Sequence, residues 1–386
     1  MRLLRIPVML TVFGLLAAAC SGGAPSGALT ELPDAEGALN LVIWAGYAED
    51  GTNDPNYDWV NPFVEETGCE VNTTDMTDSA NGVELLQSGQ YDGGSFSGDA
   101  TLRLIAGEDV APINTELIPY YADVFEGLKG QPHNTVDGVP YGTPHGRGAN
   151  LLLYNTDTFT EAPTSWDPIW DADSPAAGSV SVYNSAIFIA DAALRLKTTN
   201  DNEFGIDDPY QLTEEQFNAA VELLTEQHAI VGEYWNYATD QITSFGAGDM
   251  LAGTSWQYQA NNLPDAPVGI VKPAEGTTGW SDTWMIASEA EHPGCMYRWM
   301  DWMLSPEANA QATVWFGEAP VTQAACDRAE ELSPNHCEDY HATDEAYFED
   351  VAFWSTPRED CNDEDDATTC KTIEDWIQAW TEITGS

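Results

Sequence analysis

Basic residues are scarce in this chain. Twelve lysines and arginines stand against 64 aspartates and glutamates in 386 residues, a formal net charge of −52, and the only lysines are Lys129, Lys197, Lys272 and Lys371. Nucleic acid and anionic lipid surfaces are poor partners for such a molecule. Catalytic signatures are missing too. There is no H-E-x-x-H, C-x-x-C, phosphate-binding P-loop or G-x-G-x-x-G, and Gly93-Gly94-Ser95-Phe96-Ser97-Gly98 falls short of a G-x-S-x-G nucleophile elbow. Carboxylates are too abundant for counting to exclude a glycosidase pair, yet nothing singles out two of them. Beyond the N-terminus no run is long and apolar enough to span a bilayer.

The acidity has a bland explanation, a surface kept hydrated at high salt, and a sharper one, the steering of a cationic ligand. The acids are spread along the whole sequence, which favours the bland one. A hydrophobic fraction of 43% with 14 Trp, 15 Tyr and 12 Phe supplies packed cores, so disorder is not expected. The length exceeds what one core usually supports, so two lobes are expected.

The N-terminus reads as a leader. Met1-Arg2-Leu3-Leu4-Arg5 is positive, the run to Leu15-Leu16-Ala17-Ala18-Ala19 is apolar but short, and Cys20 precedes the Gly/Ser/Pro-rich stretch Ser21 to Gly27. This is the pattern of a bacterial lipoprotein signal, with cleavage before Cys20 and lipidation of that cysteine. The mature chain is therefore expected outside the cytoplasmic membrane, anchored by lipid, where nucleotide cofactors and ATP are absent. Six cysteines remain: Cys69, Cys295, Cys326, Cys337, Cys361 and Cys370. An even count in an oxidising compartment reads as three disulfides, with 15 possible pairings. Local loop closure favours Cys326–Cys337 and Cys361–Cys370, leaving Cys69–Cys295 by elimination. His336, Cys337 and His341 match no compact metal-ligand spacing, and no metal or cofactor is expected.

Leu39 to Trp44 reads as a buried first strand, and strand–helix alternation follows: Glu70-Val71 with Ser79 to Gln87, then Tyr91 to Gly94 with a helix from Leu102. An α/β fold with mainly parallel strands is predicted. Thr213-Glu214-Glu215-Gln216 is a capping box ahead of the stripe Phe217, Ala220, Val221 and Leu224. Ser305-Pro306 reads as an N-cap with proline in the first turn, and Gly317 as a terminator. Ile373, Trp376, Ile377, Trp380 and Ile383 recur at helical spacing and read as packing. The acidic run Asp360 to Asp366 reads as a solvated loop.

Aromatics and acids cluster at predicted strand ends beside small residues: Trp44-Ala45-Gly46-Tyr47, Ser97-Gly98-Asp99, Trp256 after Leu251 to Ser255, and Gly279-Trp280-Ser281-Asp282. In open α/β sheets such ends converge on one crevice. Tryptophan walls with a few carboxylates suit an alkyl chain carrying ammonium groups.

At these residues the chain resembles the extracellular solute-binding proteins of bacterial ABC importers, above all their spermidine/putrescine-binding branch. The likeness runs through Trp44 and Tyr47, Tyr91-Asp92, Val139 to Pro144, Leu151 to Asn155, Thr164-Ser165-Trp166, Gly178-Ser179-Val180 and Pro273 to Asp282. It implies a two-lobed, type II periplasmic-binding-protein-like fold with two chain crossings, near Thr143 to Ala149 and Val271 to Gly276. The expected division is a leader over 1–19, a lipidated tether over 20–37, one lobe from 38–145 with 277–318, and the other from 146–276 with 319–386. Carried over, Trp44, Tyr47, Trp256 and Trp280 would stack on the ligand, Ser97 would hydrogen-bond it and Asp282 would take an amine. Asp99 and Glu318 stand where the family tends to have tyrosines and add negative charge. The chain departs from the pattern at Tyr183-Asn184-Ser185, Phe188 and Asp191, where polyamine binders supply acids from the second lobe. Arg147 is expected to pair with Asp99 or Asp282, or to hold a ligand carboxylate, which would make the ligand a zwitterionic amine. The resemblance implies a non-enzymatic, monomeric protein that delivers an amine to membrane permease subunits. The alternatives are a carbohydrate-active or hydrolytic lipoprotein and an adhesion or sensory lipoprotein.

Overall fold

The computed structural model describes residues 24–34, 36–361 and 369–385. The expected leader, Cys20 and most of the acidic run after Cys361 lie outside the described residues.

The chain first lays down β1 (Ala38–Ile43), α1 (Val60–Thr67), β2 (Glu70–Asp75), α2 (Ser79–Gln87), β3 (Gly93–Phe96), α3 (Gly98–Ala106), β4 (Val110–Ala111) and β5 (Gly142–Pro144). It crosses through β6 (Gly148–Ala149) into a second region. There it builds β7 (Leu151–Asn155), β8 (Val180–Tyr183), α4 (Ile189–Thr198), α5 (Glu214–His228), β9 (Val231–Trp235), α6 (Ala238–Ala247), β10 (Ala252–Ser255) and β11 (Val268–Val271). It returns through β12 (Thr277–Trp280) to β13 (Thr283–Ala287), α7 (Pro293–Leu304) and α8 (Pro306–Phe316). After α9 (Gln323–Leu332) and β14 (Val351–Phe353) it ends on α10 (Ile373–Thr384).

Two sheets result. The first has the order β2-β1-β3-β13-β4 with β5 also on β13; β1 is parallel to β2 and β3, while β13 runs antiparallel to β3. The second has the order β9-β8-β10-β7-β11, with β8 parallel to β9 and β10. Each sheet has its own core. Leu39, Leu41, Phe63, Trp284, Trp299 and Met300 fill the first, and Val180, Val182, Phe188, Leu224 and Trp376 the second. A three-stranded sheet, β14-β12-β6, lies between them.

That small sheet gathers the crossings. The outward passage runs from β5 to β6, and the return runs through Ser281 and Asp282, between β12 and β13. A third passage follows Phe316, where the expected division already changes lobe between residues 318 and 319: α8 packs in the first core, whereas α10 packs in the second.

Local signals are realised where the backbone needs them. Thr213 and Gln216 form the reciprocal capping box of α5, and Ser305 Oγ accepts from the Ala308 amide at the start of α8. Gly317 ends α8 at φ 84°, a left-handed conformation that β-carbons disfavour. Cys69–Cys295, Cys326–Cys337 and Cys361–Cys370 are bonded. The first clips the start of β2 to α7, a closure over 226 residues.

Candidate functional site

The carboxyl ends of the parallel strands face one another across the gap between the sheets. From the first lobe come Trp44 and Tyr47 after β1, Thr77, Asp78 and Ser79 after β2, and Ser97 after β3. From the second come Tyr183 to Ser185 after β8, Trp235 and Asn236 at the end of β9, and Trp256 after β10. Trp280 and Asp282 enter from the return crossing, Phe316 from the end of α8 and Trp354 from the end of β14.

The walls are aromatic and mutually braced. Phe316 meets Tyr47 edge-on at 4.6 Å and Trp280 at 5.9 Å; Trp256 stands edge-on to Trp235 at 5.1 Å and to Trp280 at 6.1 Å; Tyr183 lies 5.7 Å from Trp354. Trp256 is further fixed by its indole N–H, which donates to Asn150 Oδ1 at 3.0 Å. Such faces carry negative potential and attract cations.

Asp282 sits in this box, 3% exposed. Tyr47 Oη donates to its Oδ2 at 2.8 Å and Ser97 Oγ to its Oδ1 at 2.7 Å. Each carboxylate oxygen retains acceptor capacity for a ligand. Burial pushes the Asp282 carboxyl up to about 6, against the lowering influence of the two hydroxyls. No lysine or arginine among the described residues lines this box.

Two further buried acids adjoin. Asp99, 6% exposed, accepts from Ser79 Oγ at 2.9 Å and is pushed up to about 6 by burial. Asp191 lies behind Tyr183, accepting from the Tyr183 hydroxyl and from Thr278 Oγ1 at 2.9 Å, and burial raises it to about 7. Each lobe thus places a buried aspartate behind a tyrosine hydroxyl at the cleft wall.

Beneath Asp282 lies a polar layer made by all three crossings. His145, from the first, stacks on Tyr47 at 4.0 Å and accepts from Trp284 Nε1 at 3.0 Å, which leaves its proton on Nε2. That Nε2 approaches Glu318 Oε1, from the third crossing, at 3.0 Å, at an angle outside hydrogen-bond geometry. His145 also donates its amide to the Asp282 carbonyl at 2.8 Å. Glu318 is fully buried, and a β-carbon on Gly146 would stand 2.1 Å from its Oε2, so only glycine admits it.

Of the sequence-predicted residues, Trp44, Tyr47, Ser97, Trp256, Trp280 and Asp282 therefore line one box. Asp99 lines an adjoining chamber, and Glu318 is a layer below. Arg147 goes elsewhere. It pairs with Glu345 at 2.9 Å, donates to the Ala342 carbonyl at 3.3 Å and stacks 3.8 Å over Phe348, so the expected pairing with Asp99 or Asp282 is replaced by a clamp on residues 342–348. Sequence reading missed Trp235, Trp354, Phe316, Asn236 and the Thr77-Asp78-Ser79 turn. Trp235 and the turn obey the same strand-end rule and were findable; Trp354 is placed by pairing of β14 with β12 and has no local signal.

A family profile described as bacterial extracellular solute-binding protein matches residues 58–336. The chain belongs to that family. It is 23% identical over 288 residues to a putrescine/agmatine-binding protein of Pseudomonas aeruginosa, covering 70% of this chain and 77% of that one. To a spermidine/putrescine-binding periplasmic protein 1 of Haemophilus influenzae it is 23% identical over 291 residues, covering 73% and 75%. Among solved structures, a putative spermidine/putrescine ABC transporter from Listeria monocytogenes superposes with a TM-score of 0.70 at 15% identity, over 90% of this chain and 98% of that one. The solute-binding family has the two-lobed type II architecture described above. No described helix is long and apolar enough to cross a membrane.

Proposed function

We propose that the protein captures a small cationic amine outside the cytoplasmic membrane and delivers it to the permease of an ABC importer, anchored as a monomer by lipid on Cys20. Asp282 carries this reading: a carboxylate 3% exposed, inside an aromatic box that no basic side chain among the described residues lines. An ammonium group entering the box supplies the counter-charge that a buried carboxylate needs, and the indole faces stack on its methylene chain. The polyamine-binding relatives support the same class of ligand. A zwitterionic amine loses support, because Arg147, the group expected to hold its acid end, is committed to Glu345.

The test is calorimetric titration of the chain without its leader against putrescine, agmatine and spermidine, with tryptophan fluorescence as a second readout. Asp282→Asn keeps the shape and removes the charge, so affinity should fall by about 2–5 kcal/mol. Equal affinity of wild type and variant would overturn the assignment. Ligand recovered unchanged after prolonged incubation is expected, and turnover would favour a hydrolase instead. Because the ammonium pairs with ionised Asp282, affinity should also decline as pH falls below about 6.

A further inference from the structure

The aromatic box is small. Its free volume is about 100 Å³, whereas the chamber that adjoins it at Ser79 and Asn184 holds about 520 Å³. The two adjoin, sharing Thr77, Asp78, Ser79, Asn184, Ser185 and Asn236 as lining. A ligand whose ammonium reaches Asp282 must extend beyond the box if it has more than a short alkyl chain.

Three features of the chamber point to what it holds. Asp99 borders it, more than nine-tenths buried, and apart from the Ser79 hydroxyl and its own amide has no donor among the described residues. A first-turn aspartate that served only the dipole of α3 has no need of burial. Second, Tyr237 and Ile377, two of the four large hydrophobic side chains left exposed among the described residues, both line this chamber, at 54% and 37% exposure. Third, its far wall is α10, through Ile373, Ile377, Trp380 and Thr381, a helix lying beyond the residues the family profile matches. Arg103, the one basic residue that lines the chamber among the described residues, stands 3.9 Å from Glu374 of α10.

Resting on the amine reading above, we infer that the chamber is a second subsite of this chain, in which Asp99 takes a second cationic group and Tyr237 and Ile377 cover the alkyl segment leading to it. Asp99 is then the residue that separates dications from monoamines of equal chain length. Selection arises because a buried carboxylate left without a counter-charge disfavours the monoamine complex.

The experiment compares butylamine, putrescine, agmatine and spermidine by competitive titration on wild type, Asp99→Asn, Tyr237→Ala and Asp282→Asn. Asp99→Asn should weaken at least one of the three multivalent cations tenfold or more and leave butylamine within twofold, whereas Asp282→Asn should weaken all four. Tyr237→Ala, at an exposed position where folding is not at stake, should weaken the same multivalent cations several-fold and spare butylamine. If Asp99→Asn and Tyr237→Ala both bind all four probes as wild type does while Asp282→Asn does not, the second subsite is refuted and the amine reading stands. If wild type binds none of the four, both fall.

Discussion

At the scale of single residues, the cleft is built on carboxylates kept out of water. Asp99 and Asp282 are raised to about 6 and Asp191 to about 7, in each case by burial first, whereas the same groups in the unfolded chain titrate near 3.8. The native state therefore holds more protons than the unfolded state between about pH 4 and 7, and each unit of separation is worth about 1.4 kcal/mol. This contribution to stability is complete below the unfolded value and disappears as pH rises through 6 to 7. The ligand-free protein should melt several degrees higher at pH 5 than at pH 8, and Asp191→Asn, which needs no proton, should flatten that slope. A melting temperature that rises from pH 5 to pH 8 would contradict it. Amine binding works in the opposite direction, since it pairs with the ionised form of Asp282, so ligand should recover most of the stability lost at neutral pH.

Among the elements, α10 joins the fold to the site. Its stripe buries Ile373, Trp376 and Trp380 in the second core, with Trp376 fully enclosed and 6.2 Å from Phe217 of α5. Trp376→Ala should cost about 3–5 kcal/mol of stability, measured by denaturant unfolding, while affinity in the folded fraction stays unchanged. Lost affinity without lost stability would show that this ring serves the ligand and not the core. The helical spacing announced the element but not its second face: Ile377, grouped with the packing stripe, lines the chamber, and Trp380 both packs and donates its indole N–H to Asn184 at 2.9 Å. Strands were legible wherever alternation with helices was strong, and β1 and α2 stand within a residue of expectation because one side of each is dictated by burial. Arg147 was misread for a physical reason. Its sequence position, at the first crossing, faces both the cleft and the back of the molecule, and only the placement of residues 342–348, which no periodicity marks, decides between them. The strand-end rule brings six of the expected residues to one wall because it follows from topology alone; it says nothing of residues delivered by long-range pairing, such as Trp354.

For the whole molecule the governing quantity is charge. After residue 19 the chain has ten lysines and arginines, and seven of them pair with carboxylates among the described residues, so at most three cations are left for all the remaining acids. Their mutual repulsion opposes compaction, and mobile ions screen it with a Debye length of about 10 Å at 0.1 M and about 3 Å at 1 M. Melting temperature should therefore rise with NaCl, steeply at first and then levelling as screening completes near about 1 M. A flat or falling curve would mean the carboxylates are spaced widely enough not to interact. The cleft should respond differently from the surface. Asp282 is shielded by the aromatic box, where mobile ions do not enter, so salt should slow amine association, which surface acids steer, more than it speeds dissociation. Stopped-flow fluorescence between low and molar salt separates the two rates. A dissociation rate that climbs with salt as steeply as the association rate falls would place the decisive ion pair at the surface and not at Asp282.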